Sequence, residues 1–143
     1  MKQIMVIVLS LVASIQLNAD DRFSLTVTVK GLIPNQGQVV VSLFDDKKKY
    51  LKETFKEQRL NALDTDSVDV IFTDLAAGDY AFSAYYDIDA DGELDTGIFR
   101  IPSEPVAFSN NARGKFGPAK WKKTQFELTQ DSNITVQVVN ALD

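Results

Sequence analysis

Nine consecutive residues carry the densest chemistry in this chain of 143: Asp87-Ile88-Asp89-Ala90-Asp91-Gly92-Glu93-Leu94-Asp95. Five carboxylates in so short a span are a donor set for a hard cation, and their order matches the front of a calcium loop. Acids at relative positions 1, 3, 5 and 9 can wrap their oxygens around one centre, and the glycine at position 6 permits the sharp turn that brings the later ligands back. On this reading Asp87, Asp89 and Asp91 give side-chain oxygens, Glu93 its backbone carbonyl, and Asp95 a direct or water-mediated contact. Position 12 is Ile98, where a helix–loop–helix site has a bidentate glutamate. The loop is thus incomplete as a sensor, and its affinity for calcium falls in the weak extracellular range of about 10⁻⁴ to 10⁻³ M. The alternative is an acidic turn that splays into water and holds nothing.

A second polar cluster follows. Glu104, Ser109, Asn110, Asn111 and Arg113 crowd a short irregular stretch, where a carboxylate, two amides and a guanidinium can line a small-ligand loop. Arg113 could there grip an anion through paired donors. The plainer reading is loop chemistry: asparagines that close turns and a local Glu104–Arg113 salt bridge. Trp121, Phe116, Tyr85 and Tyr86 offer a flat stacking surface for sugar rings or, alternatively, ordinary packing. A hydrolase would need Glu104 beside an acid of the 87–95 loop, one of the two raised in pKa as proton donor.

Composition narrows these options. The chain has no histidine and no cysteine, which removes zinc sites of the usual kind and any nucleophile activated by a histidine. Fifteen basic residues face 20 acidic ones. The lysine run at 47–49 follows Asp45-Asp46, so no basic stripe exists to replace phosphate counterions, and nucleic acid is not an expected partner.

Lys2, an apolar stretch over residues 4–13 and the small residue Ala19 form the three-part pattern of a secretory signal, with cleavage expected after Ala19. The apolar run is well short of the roughly 20 residues a spanning helix needs, so no transmembrane span is expected in the mature chain. Residues 20–143 then form one domain, long enough to bury a core without disulfides.

The elements that must position the acids read as strands. Residues 23–30 alternate apolar and polar with period two, and residues 38–44 are rich in valine. The glycines and proline of 31–37 predict that these two strands form a hairpin or close pair. Residues 45–60 show nearly helical spacing and predict a short surface helix or an ordered long loop. Strands follow at 67–73 and 80–86, the latter apolar on both faces and therefore central. Gly78 is placed at a tight turn with positive φ between them. Residues 97–101 and 105–108 read as edge strands interrupted by prolines, residues 110–120 as a polar loop, and residues 124–128 and 134–139 as a final pair. About seven short strands with at most one short helix predict an all-β antiparallel sandwich, immunoglobulin-like or prealbumin-like, with an up-and-down barrel as the alternative.

The succession Gly37-Gln38-Val39-Val40-Val41, Leu75-Ala76-Ala77-Gly78-Asp79-Tyr80, the acidic loop, Ile101-Pro102-Ser103-Glu104 and Ala107-Phe108-Ser109-Asn110-Asn111 resembles the bacterial exported proteins grouped as domain of unknown function 2141, over about residues 23–140. The resemblance implies a small periplasmic or secreted β-sandwich, generally of Gram-negative bacteria, with no assigned activity. Val106-Ala107 and Gly117-Pro118-Ala119 depart from the glycine- and proline-rich forms common in that family, which weakens the case for a shared pocket. The expectation is an exported monomer that binds an unidentified cell-envelope or extracellular partner and carries a calcium-type loop. A carbohydrate-binding domain and a carboxylate-dependent hydrolase are the alternatives.

Overall fold

The computed structural model describes Ser14 and residues 16–143. The apolar stretch of the expected signal lies outside the described residues, apart from its flank. Among those described, no helix is long and apolar enough to cross a membrane.

Among the described residues, eight strands build two packed sheets: β1 Arg22–Lys30, β2 Gln38–Phe44, β3 Lys56–Asn61, β4 Ser67–Ala76, β5 Gly78–Asp87, β6 Val106–Phe108, β7 Phe126–Leu128 and β8 Ser132–Gln137. The first sheet has the order β4-β1-β8, with β1 antiparallel to β4 and parallel to β8. The second has the order β3-β2-β5-β6, and β7 adds to β5 beyond β6's reach. This is the expected sandwich, with one parallel pairing in an otherwise antiparallel arrangement.

The period-two pattern explains the layers. Leu25, Val27 and Val29 of β1 meet Val39, Val41 and Leu43 of β2 and Tyr80, Phe82 and Tyr86 of β5 in one buried core. Side chains of alternate parity on β1 and β4 face water, as a sheet with one wet face requires. The second sheet is covered on its outer side too. Phe44 packs edge-on against Tyr50 at 5.3 Å, Tyr50 against Trp121 at 5.7 Å, and the Tyr50 hydroxyl donates to the Ala119 carbonyl.

Five expectations require correction. The last two strands are not a pair: β7 adds to β5 in the second sheet, and β8 runs parallel to β1 in the first. β1 and β2 are not a hairpin: they lie in different sheets, and residues 31–37 form the crossing. That crossing is fixed from the core side. Leu32 is buried, and the Tyr86 hydroxyl meets the Ile33 amide and the Ile33 and Gln36 carbonyls. Residues 45–60 hold no helix: turns over residues 47–52 lead into β3, an edge strand whose side chains are almost all exposed, so no apolar stripe selects a helix there. The short helix is instead α1, Trp121–Thr124.

The turn chemistry also moves. Gly78 does not have a positive φ; Asp74 does, at 57°, where the β1–β4 register slips between Phe23 and Leu25. Such a bulge bends the strand, and here the chain passes from one sheet to the other through Ala77 alone. Residues 97–101 are not an edge strand. They turn through a 3₁₀ segment, Ile98–Arg100, closed by an isolated bridge between Thr96 and Pro102.

Candidate metal centre

β2 and β5 pair antiparallel with Gln38 opposite Asp87, so the last residue of β5 sits at the mouth of the strand pair. Asp87 is nevertheless fully buried. The chain after it folds back, and three donors converge on its carboxylate: Gln38 Nε2 at 2.6 Å and Gly92 N at 2.8 Å on Oδ2, and Asp91 N at 3.2 Å on Oδ1. Burial pushes the Asp87 carboxyl up, but these hydrogen bonds outweigh it and hold it below its ordinary value of 3.8. Asp87 thus persists as a buried anion.

Two glycines make the fold-back possible. Gly37 has φ +73°, and a Cβ there would lie 2.5 Å from the Asp87 carbonyl oxygen, so β2 can approach the site only without a side chain. Gly92 turns at φ +84°, and its carbonyl receives Arg59 Nη1 at 3.1 Å and the Tyr85 hydroxyl at 3.2 Å. Within the loop the Asp91 amide also donates to Asp89 Oδ1, and the Glu93 amide to Asp91 Oδ1. Aspartates bonded to amides two residues on are what tight turns favour.

Glu104 reaches this loop from the other side. It is 6% exposed, and its two oxygens accept the Ile88 amide at 3.0 Å and the Asp95 amide at 3.2 Å. Burial is the first cause that holds its carboxyl above the ordinary value, with the charges of Asp87 and Asp95 adding to it and the two amides opposing. Asp89 is also held above its ordinary value, chiefly by its contact with the Asp87 carboxyl.

These groups form two triads that share Asp89: Asp87, Asp89 and Asp91, and Asp89, Asp95 and Glu104. Within each, one oxygen per residue lies within 4.8 Å of the others. Ligands on opposite sides of a calcium ion at about 2.4 Å are about 4.8 Å apart, so either triad fits one coordination sphere. A carboxylate has about four lone-pair sites, so the backbone donors do not exhaust Asp87 or Glu104 as ligands. Glu93 is exposed and stands in neither triad.

The second sequence cluster is not one site in space. Ser109 is fully buried; its hydroxyl accepts the Phe82 amide at 3.0 Å and donates to the Thr124 carbonyl at 2.6 Å. Asn110 Nδ2 donates to the Lys123 and Gln125 carbonyls, and Asn111 Oδ1 accepts the Gln137 amide. Arg113 turns to the Asn140 and Asp143 carbonyls. The Glu104–Arg113 salt bridge is absent among the described ion pairs, because each partner is held elsewhere. The aromatic four are also dispersed: Tyr86 is in the core, Trp121 packs on Tyr50, and only Tyr85 and Phe116 border one recess.

Glu104 therefore leaves its sequence neighbours and joins the acids of the loop, the proximity that a hydrolase would need. Its carboxylate is turned onto two amides, however, and none of the residues lining the large pocket beside β5 and β6 is acidic. Sequence spacing groups Glu104 with Ser109–Arg113 and sets it beside the acidic loop only in the hydrolase reading, and it offers no sign that Gln38, Gly37 or Arg59 belong to the site. The register of β2 on β5 would have revealed the first two.

No curated protein and no solved structure matches the chain. A family model matches residues 27–137: the chain belongs to the family described as uncharacterized protein conserved in bacteria (DUF2141).

Proposed function

We propose that the protein is an exported, monomeric, non-enzymatic binding module whose acidic loop takes up one calcium ion and so fixes the loops that meet a cell-envelope or extracellular partner. The observation that carries this reading is the position of Glu104. The loop lacks an acid at Ile98, and Glu104 supplies a buried carboxylate to the same cluster from the return arm. Crowded carboxyls at the site are pulled apart in pKa, Asp87 downward and Asp89 and Glu104 upward. A divalent ion favours the ionised form of every one, which removes that conflict.

Thermal melts in calcium and in a chelator test the proposal. An ion that binds only the folded chain adds about 1.4 kcal/mol at ten times its dissociation constant, or roughly 5 °C for a domain of this size. Glu104→Ala should remove most of that gain. A melting temperature indifferent to calcium, or a gain untouched by the substitution, counts against the site.

A further inference from the structure

A pocket of about 910 Å³ opens beside the second sheet, on the far side of Tyr85 from the core. Tyr85 and Val106 contribute its floor, the 99–102 and 112–118 loops its walls, and residues 139–142 one edge. Its size falls near the top of the about 300–1,000 Å³ range of small-molecule sites. Two aromatic rings stand at it almost wholly in water: Phe99 is 91% exposed and Phe116 is 96% exposed. Phe99 also has φ 60° and Arg100 φ 57°, a left-handed pair that bulky side chains rarely adopt. An apolar ring held in a costly backbone conformation and left in water is what a ligand would cover.

The charge around the pocket runs against the rest of the chain. Acids outnumber bases 20 to 15 overall, yet the lining has no acid and three bases, Arg100, Arg113 and Lys115. Arg113 ties down the Asn140–Asp143 segment. Arg100 and Lys115 make no ion pair among the described residues, and Lys115 lies over the Phe116 ring at 5.6 Å.

We propose that this pocket binds a single-chain amphiphile with an anionic head, the apolar chain on the Tyr85–Val106 floor between Phe99 and Phe116 and the head between Arg100 and Lys115. The recess suits a small molecule better than a flat protein face, and the two free cations select an anion over a neutral or cationic head. Leu94, from the acidic loop, also borders the pocket, yet this binding does not depend on calcium.

The test is calorimetric titration of the protein in a chelator with octanoate, decanoate and dodecanoate below their micellar concentrations, with dodecanol and dodecyltrimethylammonium as comparisons. One carboxylate should bind per chain, tightening about fourfold for each methylene added. Dodecanol should bind more weakly and the trimethylammonium weakest. Arg100→Glu with Lys115→Glu, both on exposed loops, should weaken dodecanoate by about tenfold or more and leave dodecanol unchanged. Phe99→Ser should weaken every chain. Absence of binding, affinity insensitive to chain length, equal binding of the cationic amphiphile, or indifference to the charge reversal each overturns the proposal. So does a protein that self-associates through this face, shown by a dimer that Phe99→Ser disperses. Because no calcium is present, failure here leaves the metal reading standing, and failure of the metal leaves this one.

Discussion

The acidic loop and the Ser109–Arg113 stretch are both rich in polar side chains, and both bond chiefly to backbone, yet they end in opposite conditions. At Ser109, Asn110 and Asn111 the polar atoms replace missing strand and helix partners. At Asp87 and Glu104 the same kind of backbone contact holds anions together that would otherwise separate. Polar density alone therefore does not mark a site. What distinguishes them is several like charges left crowded together after the backbone has been satisfied: the acidic loop has them, whereas the other stretch has the single guanidinium of Arg113.

The largest effect that would sharpen this contrast is expected at Asp87. Asp87→Ala strands the Gln38, Gly92 and Asp91 donors and should lower stability by about 3 kcal/mol in urea melts, and it should also abolish the calcium response. Ser109→Ala is the counterpart on the other side. It leaves the buried Phe82 amide without an acceptor and should cost about 2 kcal/mol, with the full calcium response retained. If calcium binding weakened as much in Ser109→Ala as in Asp87→Ala, the two regions would not be separable. Next, Asp89→Asn with Asp91→Asn, both exposed, should change metal-free stability little and delete the calcium gain of about 1.4 kcal/mol.

The sandwich was legible because burial on one face writes a period of two directly into residues 23–30 and 67–73. The pairing of strands was not, since nothing local tells β1 that its neighbours are β4 and β8 and not β2. The same holds at the site. Asp87, Asp89, Asp91 and Asp95 are visible as a run, but Glu104 joins them through the 96–102 turn, and Gln38 through a register fixed 49 residues away. The helical spacing of residues 45–60 misled because Tyr50 packs on Phe44 and Trp121 from a turn, not from a helix.

The smallest expected effect is in acid. Asp87 is depressed in the folded chain, so its contribution is complete above its ordinary value of 3.8 and is lost as pH falls through the lower folded value. Glu104 is raised above its ordinary 4.5, so its contribution has the opposite sense, present below that value and lost as pH rises through the folded one. In a chelator the two partly cancel, and Glu104→Gln should make the acid-side loss of stability steeper. An unchanged acid profile in that variant would show that Glu104 is not strained by its surroundings.

The most direct measurement is a calcium titration by calorimetry on the unaltered protein beside the Asp89→Asn, Asp91→Asn variant. One ion should bind per chain with a dissociation constant of about 10⁻⁴ to 10⁻³ M, with no measurable heat of binding in the variant. No heat from the unaltered protein at millimolar calcium, or the same isotherm from both, would contradict a calcium site in this loop.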